Sequence, residues 1–138
     1  MNDKDKVALT VTSHSNDETI RLTYTADRYV KGVNQYFRYT EDENDGLGKT
    51  VTLLKVGPEE IRVIRHGAVE SEQTFAVGEH RIGFYRTDQG TLQMTTRTYE
   101  VAVRLEEGSG RVEWSYDLDL AGEAVGSFRL CVEVERPQ

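Results

Sequence analysis

Glu41 and Arg65 are charged residues on strand patterns that otherwise read as inward-facing. Phe37, Tyr39 and Glu41 share one parity of an alternating segment, and Ile61, Val63 and Arg65 share one parity of another. Side chains alternate between the two faces of a strand. If the apolar members face inward, both charges do too. An unpaired charge withdrawn from water is costly, so the two are expected to meet as an ion pair, with the Tyr85 hydroxyl as a third member. Such a pair can be purely structural, or a ligand's polar group can compete for it.

Other chemistry-bearing residues are less well placed. Tyr36 with Arg38, and Arg97 with Tyr99, have the i, i+2 spacing that puts two side chains on one face. Turned inward, each pair is a carboxylate clamp, because guanidinium and phenol both donate. Turned outward, each is a cross-strand surface pair. His14, His66 and His80 are far apart and lie in or beside turns, with no carboxylate or fellow ligand close by. No metal and no cofactor is expected. The acidic run Glu41 to Gly46 has glycine at the sixth position of a calcium loop, but Thr52 stands at the twelfth, where a bidentate Glu is needed. It reads as a solvated hairpin loop. Gly108-Ser109-Gly110 and Gly46-Leu47-Gly48 lack the following helix that a phosphate loop requires. Cys131 has no neighbouring His or Lys to activate it.

The surrounding chain limits the possibilities. Its 138 residues carry 17 basic and 24 acidic side chains, a net charge of −7, and the length suits one domain spanning residues 1–138. The acidity argues against binding to nucleic acid or anionic membranes, which call for a basic surface. No apolar run approaches the ~20 residues of a membrane-spanning helix. The N-terminal Met1 to Lys6 has no apolar core of a secretory signal. A lone cysteine excludes an internal disulfide. A cytoplasmic location is expected.

The elements that would position the Glu41–Arg65 pair are strands. Val, Ile, Thr, Tyr, Phe and Trp outnumber Ala, Leu and Met by 45 to 19, which favours pleated surfaces. Period two recurs in Val7/Leu9/Val11, Ile20/Leu22/Tyr24, Val112/Trp114/Tyr116/Leu118/Leu120 and Phe128/Leu130/Val132/Val134. The last two sets are expected to face inward side by side, on strands joined near Ala121–Ala124. Glycine-bearing turns separate the segments at hairpin spacing. Between Leu92/Met94 and Tyr99/Val101/Val103/Leu105 the apolar parity switches. A bulge or bend between Thr95 and Tyr99 is expected, because one extra residue reverses the facing.

One ordered set of short motifs covers about three quarters of the chain. It comprises Tyr39-x-Glu41, Gly48-Lys49-Thr50, Arg65-x-Gly67, Phe75-x-x-Gly78, Tyr85-x-Thr87-x-x-Gly90, Thr96-x-Thr98 and Tyr116-x-Leu118. In this order and spacing the chain resembles the YwiB-like family of uncharacterised bacterial proteins. The resemblance implies an all-β fold, an antiparallel up-and-down barrel of calycin (lipocalin-like) type. With the strand pattern it suggests about eight to ten strands. It carries no activity, ligand or catalytic residue. Small barrels either hold a ligand or fill with side chains. The leading reading is a barrel that binds a small, partly apolar molecule through Tyr39, Glu41, Arg65, Tyr85, Thr87 and Thr98. The alternatives are a filled barrel with a protein partner, and an enzyme using Glu41 beside Arg65. Interior volume separates the first two: an open space of ~300 Å³ or more favours a ligand.

Overall fold

The computed structural model describes residues 5–43 and 48–136. They form ten strands: β1 (Asp5–Ser15), β2 (Glu18–Lys31), β3 (Asn34–Glu43), β4 (Gly48–Val56), β5 (Glu60–Gly67), β6 (Glu70–Ala76), β7 (His80–Thr87), β8 (Gly90–Glu106), β9 (Ser109–Leu120) and β10 (Glu123–Glu135). Each strand pairs with its neighbour in sequence, and β10 pairs with β1 to close an all-antiparallel barrel. Tight hairpins make this order possible. Glu107-Gly108 and Ala121-Gly122 both have positive φ at their two central residues, the mirror-image turn whose twist matches that of flanking strands.

The alternation resolves into inside and outside as the sequence suggests. Val112, Trp114 and Tyr116 are buried, opposite Val132, Leu130 and Phe128 of β10. With Val7, Leu9, Ala26, Phe37, Leu54, Val56, Ile61, Phe75 and Val134 they form one core cluster. Many of these residues lie near the β2–β3, β4–β5, β6–β7 and β8–β9 connections. They fill that end of the barrel.

The expected irregularity in β8 is present. The β8–β9 register shifts between Thr98 and Glu100, leaving Tyr99 as the extra residue. Before it, Met94, Thr96 and Thr98 are buried. After it, Val101, Val103 and Leu105 pack on the core. One detail differs from the parity reading, which grouped Tyr99 with the inward residues. As the bulged residue it is exposed, and its hydroxyl donates to Asp117 on the outer surface. A second shift, between Ala124 and Gly126 of β10, leaves no comparable parity signal.

The β6–β7 seam is only partly zipped. Register pairs join Glu70–Glu72 to Arg86–Phe84, yet β6 continues to Ala76. There β6 meets β8 instead. Thr96 Oγ1 donates to the Thr74 carbonyl at 2.8 Å, and Val77 bridges to Thr98.

Candidate functional site

The end of the barrel away from the packed core encloses a cavity of about 440 Å³. Ile20 and Leu22 line it and remain 47% and 50% exposed, so the space communicates with solvent. Its two sides differ. Strands β1, β2, β9 and β10 contribute mainly apolar groups, among them Val11, Leu22, Leu118, Leu120, Phe128 and Leu130. Strands β3, β5, β6 and β7 contribute Tyr39, Glu41, Arg65, Ser71, Gln73 and Tyr85.

Strand register builds the polar side. Tyr39 lies opposite Thr52 and Thr52 opposite Arg65. Arg65 then lies opposite Ser71, and Ser71 opposite Tyr85. Five side chains from five consecutive strands therefore form one row. Glu41, two residues beyond Tyr39, reaches back to that row. Arg65 Nε donates to Glu41 Oε2 at 3.0 Å, and the Thr52 hydroxyl donates to the same oxygen. The anticipated Glu41–Arg65 pair thus forms in the cavity wall, with Thr52 in place of the expected Tyr85 hydroxyl as its third member. Burial works against the Arg65 charge, but the adjacent Glu41 carboxylate outweighs it and holds the guanidinium above its ordinary range.

The pair is neither dry nor fully exposed. Side-chain exposure is 32% for Arg65 and 18% for Glu41. Arg65→Met should therefore destabilise the protein by about 1–3 kcal/mol, between the ~1 of an exposed pair and the ~3–5 of a dry one. A double-mutant cycle with Glu41→Gln, read by denaturant unfolding, should show coupling. Additive effects would contradict the pairing.

Two buried phenols, Tyr39 within the row and Tyr116 on β9, lie in the cavity wall. Burial pushes the Tyr116 hydroxyl up to about 12, with Arg65 and a Gln73 hydrogen bond opposing it. Burial, followed by Glu41, raises Tyr39 further. Unfolded tyrosine ionises near 10. Between pH 10 and 12 the unfolded chain loses this proton while folded Tyr116 keeps it. Stability from this group is whole below pH 10 and is lost as pH rises through 12, by on the order of 2–3 kcal/mol. Unfolding curves across this range should be flatter for Tyr116→Phe. An unchanged slope would contradict the assignment.

Two polar atoms in cavity-lining residues are buried without a protein hydrogen-bond partner, Ser71 Oγ and Trp114 Nε1. Such groups are uncommon, because an unmade hydrogen bond costs more than a made one gains.

Four of the six sequence-derived site residues, Tyr39, Glu41, Arg65 and Tyr85, line the cavity. Thr87 and Thr98 do not. Thr87 ends β7, and its hydroxyl accepts from the Gln89 amide in the turn. Thr98 is buried beneath the β6–β7 connection, where its backbone bonds to Gly78 and Glu79. Thr87 shares the parity of Tyr85 and Thr98 that of Met94, but parity does not give position along the barrel. Thr52, Ser71 and Gln73 were missed as site residues. Their signal is a polar side chain on the parity of Leu54 or Phe75 within one strand.

The Tyr/Arg pairs are not interior clamps. Tyr36 and Arg38 lie on the parity opposite Phe37 and Tyr39. Tyr36 stacks on Tyr29 with ring centroids 4.9 Å apart. Arg97 Nε donates to His80 Nε2 at 2.9 Å on the outer surface. His14 and His66 have separate partners, Thr19 and Glu70. Asn44–Leu47, at the centre of the acidic calcium-like run, lies outside the described residues.

A family model described as a domain of unknown function, DUF1934, matches residues 6–132. The chain belongs to the DUF1934 family. Among its relatives, the uncharacterized beta-barrel protein YwiB of Bacillus subtilis (strain 168) is 33% identical over 120 residues, covering 87% of this chain and 83% of that protein. The crystal structure of the ywiB protein from Bacillus subtilis superposes with a TM-score of 0.83 at 28% identity, covering 100% of this chain and 96% of the other. The fold of this DUF1934 barrel is therefore that of YwiB, as the motif order implied.

Proposed function

We propose that this barrel binds a small, partly apolar molecule in its open end. The observation that carries this reading is the cavity, about 440 Å³ with an apolar side facing a polar one. That volume falls in the ~300–1,000 Å³ range of ligand sites. An apolar body would replace water against Leu118, Leu120 and Phe128, while a polar end would meet the row at Arg65 and Ser71. The open volume supports this reading over a filled, purely structural barrel. Thr52 and Arg65 both donate to Glu41, which supports a positioned carboxylate rather than an acid–base catalyst.

Polarity across the wall supports a small-molecule partner rather than a lipid surface, and the net charge of −7 weighs against nucleic acid. Charged groups sit on the outer face, as in Glu113 with Arg111 and Arg129, or Asp27 with Lys6. A lipid-spanning barrel needs an apolar outer band instead. No described helix is long and apolar enough to cross a membrane. The proposed location is the cytoplasm, where the unpaired Cys131 thiol would stay reduced.

Native mass spectrometry of protein isolated from its own host tests the reading. A bound small molecule should appear as added mass that is lost on denaturation. The bare chain mass throughout would count against a resident ligand.

A further inference from the structure

We propose that the Glu41–Arg65 pair makes the cavity selective for uncharged ligands with a hydrogen-bond-accepting end, and that Glu41 is the residue that turns carboxylates away. The ligand class is an apolar body ending in an amide, ketone, ester or alcohol. This inference rests on the ligand-binding reading above and specifies the charge of what binds.

Charge is the first selector. Among the described residues lining the cavity, Arg65 is the only cation and Glu41 the only carboxylate. They neutralise one another at 3.0 Å. A cavity with one free arginine would attract an anion. This one offers a guanidinium whose charge is already compensated. A ligand carboxylate reaching Arg65 would arrive beside the Glu41 carboxylate, with water displaced by its own apolar body. Like charges brought together where water is excluded repel strongly. A ligand ammonium would meet the mirror-image problem at Arg65. A neutral ligand avoids both.

Hydrogen-bonding capacity then sets the kind of neutral group. Arg65 uses Nε for Glu41, which leaves its two Nη groups for other acceptors. Ser71, the next residue in the row, has a buried hydroxyl without a partner, as does the Trp114 indole N–H. Tyr85 adds a further hydroxyl to the lining. The Arg65 Nη groups and the Trp114 N–H can only donate, so a carbonyl or hydroxyl oxygen is a complementary end.

The test uses three probes sharing one tail: octanamide, octanoate and octylammonium, titrated at neutral pH by calorimetry. Octanamide should bind at least about tenfold more tightly than either ion. Glu41→Gln keeps an acceptor for Thr52 and Arg65 while removing the negative charge. It should raise the affinity for octanoate relative to octanamide by about tenfold. Octanoate binding the wild type as well as octanamide would overturn the inference while leaving the ligand-binding reading intact. An unchanged ratio in folded Glu41→Gln would also overturn it. If that variant does not fold, the wild-type series alone decides. Failure of all three probes to bind would overturn the ligand-binding reading itself.

Discussion

Trp114→Ala is expected to lower the unfolding free energy by about 3–5 kcal/mol. The indole is almost fully buried at the junction between the packed end and the cavity. It lies against Phe75, with ring centroids 5.6 Å apart, and Phe75 in turn meets Tyr116 at 4.5 Å. Removing the indole would merge the cavity with a new void in the core, and the strands cannot collapse into it because register holds them on both sides. Denaturant unfolding followed by far-ultraviolet circular dichroism measures the loss. A loss under about 1 kcal/mol would show that the ring is not the keystone of this packing.

Gly110→Ala is expected to be comparably damaging, at roughly 2–6 kcal/mol, for a different reason. Gly110 has φ +136°, a conformation that L side chains rarely adopt, and an added Cβ would fall 2.0 Å from the Arg104 carbonyl oxygen. The obstacle is backbone on the paired strand β8, so no side-chain rotation relieves it. Strain and overlap act together at the start of β9, where β8 and β10 both pair. A thermal midpoint within a degree or two of the wild type, measured by calorimetry, would contradict this.

Much of the barrel was legible because one physical rule governs it. A strand buried on one side must alternate, and Val112–Leu120 and Phe128–Val134 do so without interruption. The same rule exposed the bulge at Tyr99, since its neighbours change parity across it. It could not place Tyr99 itself, because a bulged residue belongs to neither ladder. The second bulge, at Val125, was silent. It lies among small and polar residues that have no apolar phase to break. The partial unzipping of β6 from β7 was equally invisible. It depends on Thr96 reaching the Thr74 carbonyl, a contact between strands that are not sequence neighbours.

The site divides along the same line. Glu41 and Arg65 stood out because a charge on an apolar parity demands a partner. Thr52 and Ser71 did not, since a small hydroxyl on that parity makes no such demand. Thr87 and Thr98 show the limit of the rule from the other side. Facing inward does not say how deep along the barrel a residue lies, and depth separates cavity from core. The cavity volume depends on how all the side chains fill the open end, which no single strand encodes.

Trp114 offers the most direct test of uptake of a small apolar molecule by the open end of the barrel. It is the only tryptophan in the chain and lines the cavity. Titration with N-phenyl-1-naphthylamine, an uncharged probe that brightens in apolar surroundings, should give saturable probe fluorescence and a matching saturable quenching of Trp114. Trp114 emission unchanged at probe concentrations that saturate an ordinary apolar site would contradict the account.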